Sequence, residues 1–336
     1  MDSVSQLALG AAVSVAVMGR RTAVWKAAAW GAVAGTLPDL DVLVDHGDAI
    51  RNMVLHRGAT HSLFWLTLLS LPLAAAVARL HGEGALWRRW WLALWLALVT
   101  HPLLDTMTVY GTRLALPFSD WPYAVGSIFI IDPLFTLPLL AGAGWALASR
   151  GSARGLRANA AGLLLGCAYL GWSAVAQAQV ERVARASLAA QGITAGQVLV
   201  TPTAFNTVLW RVVAIDGAHY HEGFYSLLDE TPTMRFDRFD RGTALAPALQ
   251  DIAGVRLVAA FSKGFYKLHA DGDELFVTDL RMGQEPAYVF TFAVAERHSP
   301  VRPLATPEQR SARLDVRLGL AWLWRRALGE ELPPPR

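Results

Sequence analysis

The chain is 336 residues long, 54% hydrophobic and only 17% charged, which is too apolar for an ordinary soluble protein of this length. Its net charge of +3 is dispersed over short pairs such as Arg20-Arg21, Arg88-Arg89 and Arg325-Arg326, so no basic patch supports nucleic-acid binding. The single cysteine, Cys167, excludes an internal disulfide and reads as a small packing residue in an apolar run.

Met1-Asp2 precede the first apolar stretch without a basic lead, so the N-terminus does not read as a signal peptide. Six apolar segments follow, at residues 4–19, 23–37, 62–78, 90–104, 127–148 and 156–176. A perpendicular membrane span needs about 20 residues, so the last two suffice and the others are short. Gly31-x-x-x-Gly35 offers a small-residue face on which the first two segments can close as a hairpin. Chance spacing in an Ala/Gly-rich stretch is the alternative.

Basic residues occupy alternate connections: Arg20, Arg21 and Lys26, then Arg79, Arg88 and Arg89, then Arg150, Arg154 and Arg157. The positive-inside rule places all three in the cytoplasm and the intervening connections outside. From Glu181 onward, charges return to globular density, and the chain reads as strands at 208–215, 219–228, 256–261, 265–269, 274–279 and 287–295. Asp216-Gly217, Asp271-Gly272-Asp273 and Met282-Gly283 supply turns. Residues 308–328 read as a helix docked on the sheet, with Leu314, Leu318, Ala321 and Trp322 at helical spacing, and the Pro333-Pro334-Pro335 tail reads as disordered. The expected fold class is an α-helical multi-pass membrane domain of about six helices (1–178), followed by a β-rich (α+β) extramembrane domain (179–336) built on one antiparallel sheet of about six strands.

Four polar clusters interrupt the apolar half, and carboxylates or imidazoles in such places mark function. His101 and Asp105 are spaced i,i+4, so a helix projects both from one face; Pro102 suits the first turn of a helix beginning there. Asp39 and Asp41 follow Pro38; in extended chain they face opposite ways, so both bind metal or one orients a histidine from behind. His56 and His61, five apart, share a helical face only if a loop separates them, with Thr60 as N-cap of the helix that follows. Arg57 suits either an anionic substrate such as phosphate or an anchor at the interface. Asp132, before Pro133, is an N-cap, a ligand or a support for one. No phosphate loop or nucleophile elbow is present, which leaves a metal-activated water as nucleophile, its proton passing to Asp39, Asp41 or Asp105.

Taken together, Leu37-Pro38-Asp39-Leu40-Asp41, the His56-Arg57-Gly58-Ala59-Thr60-His61-Ser62 stretch and His101-Pro102-Leu103-Leu104-Asp105-Thr106 resemble the YdjM-like family of bacterial inner-membrane proteins, described as predicted metal-dependent hydrolases. Tyr110-Gly111-Thr112 and Pro117-Phe118-Ser119 add to the resemblance, which covers about residues 1–150. It implies a metal-dependent hydrolase with His56, His61, His101 and the aspartates as ligands; the expected cofactor is one or two divalent metal ions, zinc ahead of manganese or iron. Many relatives carry a histidine near the N-terminus where this chain has Gln6. The His-x-x-x-Asp element is also similar, at a distance, to that of helical zinc-dependent phospholipases C and P1 nucleases.

The expected function is a membrane-bound metal-dependent hydrolase of the inner membrane with a periplasmic site. Its partner is a membrane lipid or lipid-linked phosphoester, and Asp39, Asp41 and Arg57 join the chemistry. The alternative is a non-enzymatic metal-binding membrane protein.

Overall fold

The structure is a computed structural model, and it describes residues 1–310 and 315–336. In chain order the helices are α1 (Ser3–Met18), α2 (Val24–Thr36), α3 (Ala49–Leu55), α4 (Leu63–Leu80), α5 (Trp87–Thr106), α6 (Pro133–Ala148), α7 (Ala153–Ala190), α8 (Ala246–Leu249), α9 (Ala253–Phe261) and α10 (Val316–Ala327). The strands are β1 (Gln197–Pro202), β2 (Leu209–Asp216), β3 (His219–Ser226), β4 (Asp237–Asp240), β5 (Tyr266–Asp271), β6 (Glu274–Asp279), β7 (Gly283–Gln284), β8 (Ala287–Tyr288), β9 (Thr291–Glu296) and β10 (Arg302–Gln309). Two compact units divide the chain. The first holds Met1–Leu43, Arg57–Ala174 and Ala204–Asn206; the second holds Val44–His56, Val175–Thr203 and Thr207–Arg336. The division inside α7 falls between Ala174 and Val175, and 44–56 joins the second unit, where Ile50 of α3 packs against Gly254 of α9.

In the first unit, small residues let helices meet backbone to backbone. A Cβ on Gly10 of α1 would lie 2.2 Å from the Gly31 carbonyl oxygen of α2, and one on Gly35 would lie 2.6 Å from that of Gln6. The hairpin expected from Gly31-x-x-x-Gly35 therefore forms. Gly142 of α6 and Gly162 of α7 repeat the device, with clearances of 2.8 and 2.4 Å to facing carbonyls. Around these contacts lies a core of Val15, Met18, Trp90, Leu94 and Leu98.

The expectation of about six spans is corrected. Among the described residues, two helices are long and apolar enough to cross a membrane, α4 (Leu63–Leu80) and α7 (Ala153–Ala190), while α1 and α6 are apolar but shorter. Only 28% of the apolar window of α4 and 22% of that of α7 is buried by protein, so both keep apolar faces uncovered. With 38 residues, α7 extends about 57 Å, nearly twice the hydrocarbon thickness. It starts in the first unit and ends in the second.

Within the second unit, the single six-stranded sheet is corrected to two antiparallel four-stranded sheets, ordered β1-β2-β3-β4 and β10-β9-β6-β5, plus the β7-β8 ribbon. Residues 256–261 are helical. Gly254, Val255, Val258 and Phe261 are the buried positions of α9, a three-to-four-residue period that a short apolar run conceals. Strands β1, β4, β7 and β10 were not anticipated. Residues 308 and 309, expected in a helix, end β10; the helix starts at Val316, and Leu314 lies outside the described residues. The helix α10 does dock on the sheet, through Trp322 against Phe224 and Arg326 against Asp229 at 2.5 Å. The tail is held rather than loose, since Arg336 pairs with Asp237 at 2.6 Å and covers the Phe239 ring.

Candidate metal centre

Three chain breaks in the first unit deliver the polar clusters. Thr36 ends α2, and Leu37–Leu43 tightens into a 3₁₀ helix that carries Asp39 and Asp41. Ala59–His61 forms a second 3₁₀ turn. The N-cap of α4 is Ser62, whose hydroxyl accepts from Trp65 N–H, so the cap expected at Thr60 is corrected by two residues. His101 and Asp105 lie in the last turns of α5 rather than at a helix start, with Pro102 inside the helix. Their i,i+4 spacing still puts both on one face.

Four side chains meet. Asp39 Oδ1 lies 3.3 Å from both His61 Nε2 and His101 Nε2. Asp105 Oδ2 lies 3.3 Å from His61 Nε2 and 3.5 Å from His101 Nε2, and the two imidazole nitrogens are 3.1 Å apart. His61, His101 and Asp105 are sealed from solvent, whereas the Asp39 side chain retains 21% of its exposure.

Each histidine is fixed from behind. His101 Nδ1 donates to the Gly35 carbonyl at 2.6 Å. That carbonyl ends α2, and Pro38, three residues on, has no N–H to offer it. His61 Nδ1 donates to Thr60 Oγ1 at 3.0 Å, and Thr60 donates in turn to Asp41 Oδ2 at 2.8 Å. Both Nε2 atoms therefore present lone pairs inward, toward two carboxylate oxygens. Asp105 Oδ2 is buried and accepts no hydrogen bond, although Arg57 Nε stands 3.2 Å away. Converging lone pairs and an orphaned carboxylate oxygen repel one another unless a cation lies among them, so the residues present fit a metal ion.

Asp105 Oδ1 is held by the buried α-amino group of Met1 and by Gln6 Nε2 at 3.0 Å. Gln6 thus supports a ligand through its amide nitrogen.

The other expected residues take different places. Asp41 sits behind the centre, accepting from Arg57 N–H at 3.0 Å as well as from Thr60. Arg57, whose backbone is left-handed at φ 61°, is buried. Its guanidinium faces Asp105, Thr108 Oγ1 at 3.2 Å and the Tyr110 ring, so the fork expected to meet a substrate anion is directed inward. His56 is the C-cap residue of α3, in the second unit. Asp132 is the N-cap of α6, accepting from Leu134 N–H at 3.0 Å and Tyr169 Oη at 2.8 Å. It lies outside the four-residue group. Sequence reasoning missed Thr108 and the Gly35 carbonyl, which carry no signal of their own, and took Thr60 for a cap.

The family model described as YdjM inner membrane protein matches residues 1–180. The inner membrane protein YbcI of Escherichia coli strain K12 is 37% identical over 93 residues, 27% of this chain and 53% of that protein. The chain thus spans about half the length of this curated relative. No solved structure matches.

Proposed function

This chain belongs to the YdjM inner membrane protein family, and we propose that it is a metal-dependent hydrolase acting on a phosphoester of a lipid or lipid-linked substrate. Three sealed donors and one partly exposed donor around a single point support this reading. Catalytic zinc sites use three protein ligands and leave the fourth position to water or substrate. We assign the ion as zinc: four donors at about 2.0–2.1 Å define a tetrahedron with edges of about 3.3–3.4 Å. The donor separations given above are 3.1–3.5 Å.

A bound zinc ion supplies a Lewis acid that lowers the pKa of a coordinated water toward about 7. The residues of the chain do the rest. Gly35 and the Thr60–Asp41 pair lock the two imidazoles in the tautomer that directs Nε2 inward. Arg57 and Gln6 hold Asp105. Asp39, on the open side, is the donor placed to yield its position and to take up a proton. The centre is built from the C-terminal ends of α2 and α5 and the start of α4, opposite the basic connections; under the positive-inside rule this supports a periplasmic site.

One observation favours a second reading. Four protein donors close a tetrahedron, as structural sites do, and a non-enzymatic metal protein would use the same set. Elemental analysis of detergent-purified protein decides between them. We expect about one zinc per chain, lost in His61→Ala and His101→Ala. Asp39→Ala should keep the metal and lose phosphoesterase activity. If Asp39→Ala instead loses metal and fold together, the site is structural.

A further inference from the structure

At the end of the first unit away from the metal centre, three connections come together. Thr22 and Lys26, from the α1–α2 connection and the start of α2, bond Glu83 of the α4–α5 connection at 2.8 Å each. Arg20 Nε donates to the Gly151 carbonyl of the α6–α7 connection at 3.2 Å. Arg20, Arg21, Arg79, Arg88, Arg89, Arg150, Arg154 and Arg157 are exposed on these segments, while Glu83 is spent on Lys26, Thr22 and Trp90.

Within this basic face lies a cavity of about 280 Å³ between the α1–α2 and α6–α7 connections, lined by Arg20, Thr22, Ser149, Arg150 and Ser152. The first residue of α2, Val24, and Ser152, just before α7, complete its rim, so two helix N-termini open onto it. Two arginines, the Ser149 and Ser152 hydroxyls and two helix N-termini form an anion-binding arrangement, while the Thr22 hydroxyl is committed to Glu83. The volume sits just below the range of drug-sized pockets, a size for a headgroup and not for an acyl chain. Arg150 also occupies a left-handed conformation, φ 50°, which glycine would adopt without strain.

We propose that this cavity binds a phosphate group, carried by an anionic phospholipid headgroup or free in solution, at a site separate from the metal centre. Arg20 and Arg150 grip the phosphate, and the surrounding arginines draw it in from an anionic surface. The hydrolase proposal is not needed for this.

Native mass spectrometry of the full chain in detergent tests the site, with phosphatidylglycerol, phosphatidylcholine and inorganic phosphate as probes. We expect one retained phosphatidylglycerol per chain and no retained phosphatidylcholine, with inorganic phosphate competing weakly. Arg150→Gly relieves the backbone strain, so it should fold and keep its metal yet bind phosphatidylglycerol about fivefold more weakly; adding Arg20→Gln should bring the loss to about thirtyfold. Saturation by inorganic phosphate alone would identify a free anion as the source and still support the site. Unchanged lipid binding in both variants would overturn it. So would an equal loss in Arg88→Gln/Arg89→Gln, which would reduce the effect to diffuse surface charge.

Discussion

Thr60 shows how one hydroxyl organises the centre. It accepts from His61 Nδ1 and donates to Asp41, so an acidic residue outside the donor set decides which imidazole nitrogen faces the ion. Thr60→Val should weaken metal affinity about 10–100-fold, the usual cost of removing such a support. Thr60→Ser should restore it, and titration against a chelator of known affinity measures both. The residue types of the site were legible before folding: imidazoles and carboxylates in an apolar half, two of them at helical spacing. Their ranking was not. Asp39 and Asp41 are two positions apart and chemically equal, yet the 3₁₀ turn aims one at the histidines and the other at Thr60 and Arg57. Arg57 likewise could face outward or inward until Asp105, 48 positions on, was seen at 3.2 Å.

Helix packing in the first unit depends on missing side chains. Gly10→Ala would drive a Cβ to 2.2 Å from the Gly31 carbonyl, which rigid backbone cannot yield, and should cost about 1–3 kcal/mol or more. Gly144→Ala, where a Cβ meets nothing within 4 Å, should be neutral or stabilise α6 by up to about 1 kcal/mol. Thermal unfolding in detergent compares the two. The glycine spacing made the first hairpin readable, because the small-residue motif is local. Length misled elsewhere: apolar content suggested six spans, but α1, α2 and α6 are 16, 13 and 16 residues long. Residues 256–261 misled in the other direction, since six apolar-rich positions fit strand and helix equally, and burial of Val255, Val258 and Phe261 chose the helix.

At the scale of the molecule, the second unit is built around a buried ion pair. Arg211 in β2 meets Glu222 in β3 at 2.6 Å and donates to the Leu280 carbonyl after β6 at 2.8 Å, which ties the two sheets together. Burial and the neighbouring Glu285 carboxylate, which accepts a hydrogen bond from it, push the Tyr220 phenol far above its ordinary pKa, so it stays a neutral donor. Arg211→Ala leaves Glu222 uncompensated and should destabilise this unit by about 3–5 kcal/mol. Arg211→Met/Glu222→Leu should recover much of that loss, and denaturant unfolding followed by proteolytic susceptibility reads both. By itself the sequence determined the division into an apolar helical half and a strand-rich half, the family, and which side chains could bind a metal, because composition, periodicity and motif spacing are local properties. Only the tertiary structure decided that Asp39, His61, His101 and Asp105 share one point, that Asp132 stands elsewhere, and that the strands form two sheets. Those outcomes depend on contacts between residues dozens of positions apart, and packing makes that choice where local spacing cannot.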